Sequence, residues 1–304
     1  MKVKILVSTL LVLMLAPFAR AELKVIATLP DLGSIAREIG GNRVEVTVLA
    51  KPTEDPHFVD AKPSFITKLA SADVLIEGGA ELEKGWLPPL EQGSRNAKIQ
   101  RGAPGRIVAS EGVKLLGVPT SLTRAEGDIH PFGNPHFMTD PLRAEIVARH
   151  IARSFAGIDA PGTAYYDGRL KEFDAKLLAK TKEWTASLGK HQGESIASYH
   201  DSWLYFAQRF GLKCDVFMEP KPGIPPSPSH LAEVTQTIKD RKIKAILVEP
   251  FQNRKVAQTV AERTGAEVVD VSQFPGGIEG TSGYLDLLDT IVKRVNAALE
   301  KPQP

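Results

Sequence analysis

The sequence predicts an α/β fold of two lobes, each a mostly parallel sheet flanked by helices, joined by one long rigid helix. Three observations predict it. Short β-branched apolar runs alternate with helical patterns in the first half of the chain, the same alternation restarts after residue 190, and one amphipathic stretch lies between them. Strands that alternate with helices are the pattern of β-α-β units around a parallel sheet. A chain of 304 residues also exceeds the usual size of a single core, so two lobes are the default expectation.

The amino terminus carries Lys2 and Lys4, an apolar run over 5–18, and then Ala19-Arg20-Ala21, a form that signal peptidase accepts. About 14 apolar residues fall short of the roughly 20 that span a bilayer. Residues 1–21 are therefore expected to be a cleaved export signal, with the mature chain starting at Glu22. Loss of Lys2, Lys4 and Arg20 from 38 basic residues leaves them one short of the 36 acidic ones, and a balance so near neutrality points away from nucleic acid. Cys214 is the single cysteine, so no internal disulfide can form and the fold must rest on its core.

The first lobe, 22–158, is expected to hold strands at 23–28, 44–49 and 72–76, with helices at 34–39 and 65–70 and a further helix at 142–155 opened by Asp140-Pro141. In the linking region, 159–190, Tyr166, Leu170, Phe173, Leu177, Trp184 and Leu188 recur at steps of 3, 4 and 7, while charged residues fill the other faces. A helix over 163–188 would run about 39 Å, enough to cross a domain and stiff enough to limit hinge motion. The second lobe, 191–304, repeats the alternation with strands at 195–199, 215–218, 243–248 and 268–271 and helices at 203–210, 231–238 and 256–263. Between them, 220–228 is proline-rich and reads as an extended connector into the helix that starts near Ser229.

Three of the seven histidines sit where the chain leaves a strand or enters a helix. His57 lies in Asp55-Pro56-His57, His136 in Asn134-Pro135-His136, and His200 follows the strand at 195–199, with Asp201-Ser202 as a cap for the next helix. In open α/β sheets, ligands gather at the carboxyl ends of the strands. With His57 and His136 from one lobe and His200 from the other, a ligand bound by all three would sit in the cleft. No H-E-x-x-H or C-x-x-C motif occurs, so spacing alone leaves a metal site and three ordinary histidines both open. His150, His191 and His230 read as solvated, and His130, in His130-Pro131-Phe132-Gly133, as either an exposed loop residue or one that recruits metal.

The chain resembles the zinc- and manganese-binding solute-binding proteins of ABC importers, the ZnuA/TroA-like family. The stretch 41–46 through Asp55-Pro56-His57, then Asn134-Pro135-His136 to Asp140-Pro141, then Tyr199-His200-Asp201, then Glu249-Pro250 follow that family's order and spacing. The resemblance implies that His57, His136 and His200 ligate a transported Zn²⁺, with Mn²⁺ as the alternative ion, in a periplasmic monomer that delivers it to an ABC permease of the inner membrane. It also implies a protein that is not an enzyme. Three imidazoles favour zinc, since manganese prefers carboxylate oxygen. The family's usual fourth ligand is an aspartate shortly before a Gly-Thr-x-Tyr-like segment, here Gly280-Thr281-Ser282-Gly283-Tyr284, and Ser272 or Gln273 stands in its place. Asp270, Glu249, Gln273 and water all remain candidates for that position. Phe58, Phe137 and Trp203 are expected to keep water from the ion. Two other readings stand beside this one: a zinc hydrolase with Glu249 as general base, because three histidines and an open position also describe catalytic zinc, and a surface adhesin.

Overall fold

The computed structural model describes residues 22–120, 127 and 130–302. The expected export signal, residues 1–21, lies outside the described residues. Among the described residues no helix is long and apolar enough to cross a membrane.

The first sheet is built from β1 (Leu23–Ala27), β2 (Val44–Val48), β3 (Val74–Glu77) and β4 (Arg106–Val108), all parallel in the order β2-β1-β3-β4. Helices α1 (Pro30–Gly40), α2 (Pro63–Ala70) and α3 (Leu87–Ser94) connect these strands, and each takes a proline into its first turn, where the missing N–H has no intrahelical partner to lose. Helix α4 (Pro141–Ile158) closes the lobe, its amino end capped by Asp140, whose Oδ1 accepts the Leu142 amide at 3.0 Å. Helix α5 (Thr163–Gly189) is the predicted linker at 27 residues. It buries Tyr166, Phe173, Leu177, Trp184 and Leu188 as the periodicity requires, with Thr181 completing the stripe and Leu170 only partly covered.

The second sheet contains β5 (Ser195–Ser198), β6 (Lys213–Phe217), β7 (Ala245–Val248) and β8 (Glu267–Asp270), with α6 (Leu204–Phe210), α7 (Pro228–Asp240), α8 (Arg254–Thr264) and the closing α9 (Tyr284–Glu300) around it. Its order, β6-β5-β7-β8, is the order of the first sheet, again all parallel. The two lobes are one topology used twice, although no internal sequence repeat betrays it. Strands β4 and helices α3 and α9 lie outside the alternation read from the sequence. Strand β4 has only three residues, too few for a period to register, whereas α9 carries a clear apolar stripe from Tyr284 through Leu299.

Both faces of β7 are buried: Ala245 and Leu247 join one core, Ile246 and Val248 the other. This two-sided burial is what a continuous apolar run in a parallel sheet signifies. The larger core runs without a break from the first sheet through α5 to the inner face of the second. Asp140 reinforces that junction. Fully buried, it holds Arg143 on its own helix and accepts from Arg209 of α6 at 2.6 and 2.9 Å.

In each sheet the strand order reverses between two central strands, the crevice where α/β proteins usually take a ligand. A buried glutamate bonded to a hydroxyl stands at each crevice. Glu83 accepts from Thr28 Oγ1 at 2.7 Å and from the Gly78 and Gly79 amides, and Glu249 accepts from Ser202 Oγ at 2.9 Å. Burial pushes each carboxyl up to about 7.

Replacing Asp140 with Ala takes the carboxylate partner from Arg143 and Arg209 and removes the cap of α4. We expect Asp140→Ala to lower the unfolding free energy by about 3 kcal/mol, measured by urea denaturation. An unchanged midpoint would mean that the arginines are satisfied by water instead.

Candidate metal centre

His57 and His136 are presented by the same local device. In Asp55-Pro56-His57, Asp55 Oδ1 accepts the His57 amide at 3.0 Å, and in Asn134-Pro135-His136, Asn134 Oδ1 accepts the His136 amide at 2.9 Å. A side-chain oxygen closing a turn onto the amide two residues on is the habit of Asp and Asn, and the intervening proline fixes φ within it. Each turn is then tied down from outside. Trp86 Nε1 donates to Pro56 O at 2.9 Å, while Tyr205 Oη donates to Asn134 O and Asn134 Nδ2 to Asp201 O, both at 2.6 Å. His200 stands two residues past β5, with its carbonyl accepting from Ser198 Oγ at 2.7 Å. Ser202 does not cap α6; its hydroxyl serves Glu249.

The three rings converge. Their centroids lie 5.2 Å (His57 to His136), 5.4 Å (His57 to His200) and 5.3 Å (His136 to His200) apart. One nitrogen from each lies within 4.8 Å of the others, which side-chain adjustment can bring to the roughly 3.3 Å between nitrogens around a tetrahedral zinc. Every Nδ1 has its own acceptor: Asp55 Oδ1 at 2.7 Å for His57, Gln273 Oε1 at 2.8 Å for His136 and Glu219 Oε2 at 2.8 Å for His200. With the proton held at Nδ1, the lone pair sits on Nε2. His57 Nε2 and His136 Nε2 are buried and have no hydrogen-bond partner, a state that costs about 1–3 kcal/mol per group unless something else fills it.

Gln273 explains the missing aspartate. Its Nε2 donates to Glu249 Oε1 at 2.8 Å, so its Oε1 is the end that accepts from His136. Gln273 therefore orients a ring. Glu249 accepts from Gln273, Ser202 and Gln252, which makes it the support behind the ring. Asp270 lies elsewhere: it is half-exposed and paired with Arg254 at 2.7 Å.

The surroundings set the proton affinities. Burial, then the charges of His57 and His200, hold His136 well below the ordinary histidine value. Burial also opposes protonation of His200, but the hydrogen bond and charge of Glu219, helped by Glu249 and Asp201, outweigh it and raise His200. Asp55 is held low: burial pushes its carboxyl upward, and the bonds and charge of His57 more than reverse this.

Several sequence expectations need correcting. Phe137 and Trp203 are fully buried, but Phe58 is 65% exposed and cannot exclude water. His191 is buried against Glu194 at 2.9 Å, and His150 and His230 are half-buried. His130 is only half-exposed, its ring centred 5.3 Å from that of His57. Asp55, Glu219 and Gln273 were not singled out as partners of the rings. Only Asp55 left a sequence signal, since it and Asn134 occupy the same place before Pro-His.

Two like α/β lobes on one connecting helix, with converging polar groups in the cleft, define the solute-binding class of fold. The chain belongs to the family described as zinc-uptake complex component A, periplasmic, whose model matches residues 25–298. It is 24% identical over 279 residues to the high-affinity zinc uptake system protein ZnuA of Bacillus subtilis, covering 88% of this chain and 84% of that one. To the manganese ABC transporter substrate-binding lipoprotein PsaA of Streptococcus mitis it is 22% identical over 272 residues, covering 86% and 85%. Among solved structures, a ZnuA crystal structure superposes with a TM-score of 0.77 at 21% identity, over 92% of this chain and all of that one. The Mn-bound periplasmic metal binding protein of Candidatus Liberibacter asiaticus gives 0.76 at 22%, over 91% and 100%.

If Gln273 orients His136, then Gln273→Ala should weaken metal binding about 10- to 100-fold, whereas Asp270→Ala should leave it unchanged. Titration calorimetry separates the two, and an effect from Asp270→Ala alone would place a ligand on β8.

Proposed function

We propose that the protein captures a divalent transition metal, zinc in preference to manganese, on His57, His136 and His200 and presents it to an ABC permease. The observation that carries this reading is the set of three converging imidazoles, each with Nδ1 held by its own acceptor. Neutral nitrogen donors suit zinc, and the glutamine at 273 withholds the carboxylate oxygen that manganese favours. Relatives named for zinc and for manganese both match the chain, so donor chemistry decides the preference.

The working unit is a monomer in the periplasm, with lobes at 22–158 and 191–304, a linker at 159–190, and residues 1–21 removed on export. Mass spectrometry of the exported protein should find Glu22 at its amino terminus; retention of the first 21 residues would overturn the cleavage. A hydrolytic reading needs a general base, and Glu249 has its oxygens engaged by Gln273, Ser202 and Gln252. Family membership likewise favours transport over adhesion.

His57→Ala, His136→Ala and His200→Ala should each weaken zinc binding by about 100-fold or more, since even the supporting bonds are worth 10- to 100-fold. Tight one-to-one binding by any of them would strike that residue from the site.

Zinc affinity should fall on acidification as His200 takes a proton, beginning above the usual histidine value of 6.5, whereas His136 stays neutral. Glu219→Gln keeps an acceptor but removes the charge that raises His200. Burial then dominates, and the pH of half-release should move down. A midpoint unmoved in Glu219→Gln would show that another group sets it.

A further inference from the structure

A fourth histidine stands beside the same centre, next to His57. His130 Nε2 is buried without a hydrogen-bond partner, as are His57 Nε2 and His136 Nε2. Its ring centroid lies 5.3 Å from that of His57, the spacing found among the other three rings. Like them it has an acceptor at Nδ1, the carbonyl of Ala80 at 3.2 Å, so its lone pair also falls on Nε2. Together with His136 and His200 it lines a cavity of about 180 Å³. A buried imidazole nitrogen left unbonded beside two others in the same state is not explained by packing.

We propose that His130 supplies the fourth nitrogen to the captured ion through Nε2, completing a four-imidazole site and giving the protein its selectivity for nitrogen-preferring ions such as zinc. This rests on the reading that His57, His136 and His200 hold the ion. The Nε2 of His130 lies outside the closest convergence of those three, and a turn about its χ angles, which the long contact to Ala80 permits, would bring it in. Four neutral donors complete the tetrahedral set that zinc prefers and leave no oxygen for manganese. Asp201 is the competing donor, because its Oδ1 is also buried without a partner and lines the same cavity.

The test uses the full mature chain loaded with zinc or cobalt(II). X-ray absorption should count four imidazoles in the wild type and three in His130→Ala, whose zinc affinity should fall about 100-fold while its manganese affinity changes far less. The d–d spectrum of the cobalt form should change with it. His130→Gln can still donate to Ala80 O, and serves if the alanine variant fails to fold. Three imidazoles in the wild type, or an unaltered affinity and spectrum in both His130 variants, would overturn the proposal. So would a spectrum that responds to Asp201→Asn but not to His130→Ala. His136→Ala in the same series keeps the failures apart: if it abolishes binding while the His130 variants do not, only the fourth ligand is lost, and if it too binds normally, the three-histidine reading falls.

Discussion

The hydrogen bond between His136 and Gln273 is the contact on which the rest of the centre depends. It links residues 137 positions apart and joins the two lobes at the site itself. It also transmits chemical information. Glu249 Oε1 accepts the Gln273 amide nitrogen, which turns the Gln273 oxygen toward His136, whose proton then sits at Nδ1. A carboxylate thus dictates, through one amide, which lone pair is offered to an ion. Removal of Gln273 leaves the His136 Nδ1 proton without its acceptor, while Glu249 keeps Ser202 and Gln252.

The same arrangement answers a problem of charge. A divalent cation among neutral imidazoles is poorly compensated in a buried site. Here negative charge lies one bond further out, on Asp55 behind His57 and on Glu219 behind His200. In the proposed site, imidazole nitrogens made more basic by such partners would hold a metal while the donor set stays all nitrogen.

Much of this was legible in the sequence. The strand-helix alternation, the long amphipathic linker, the Asp140 cap and the three histidines after strands or before a helix all have local signatures, set by residues within a few positions of one another. What escaped was non-local. Nothing near Gln273 or Glu219 in sequence says which ring each one meets, because those pairings exist only once the sheets are stacked in register. Phe58 shows the reverse failure: an aromatic beside a ligand looks like a shield, yet the turn that presents His57 points its neighbour at solvent. Strand β4 was too short to read, whereas α9 had a visible stripe, so its absence from the alternation reflects its place after the last strand.

The paired glutamates in the two sheet crevices have a consequence for what the cleft can admit. In related sheet architectures that crevice is where a nucleotide or an organic solute rests its polar end. Glu83 and Glu249 stand at those seats, each bonded to a hydroxyl from the segment after the neighbouring strand. Neither carboxylate is left free there to read the polar end of a sugar or an amino acid. An ion held by the rings alone, as proposed, loses nothing by that commitment.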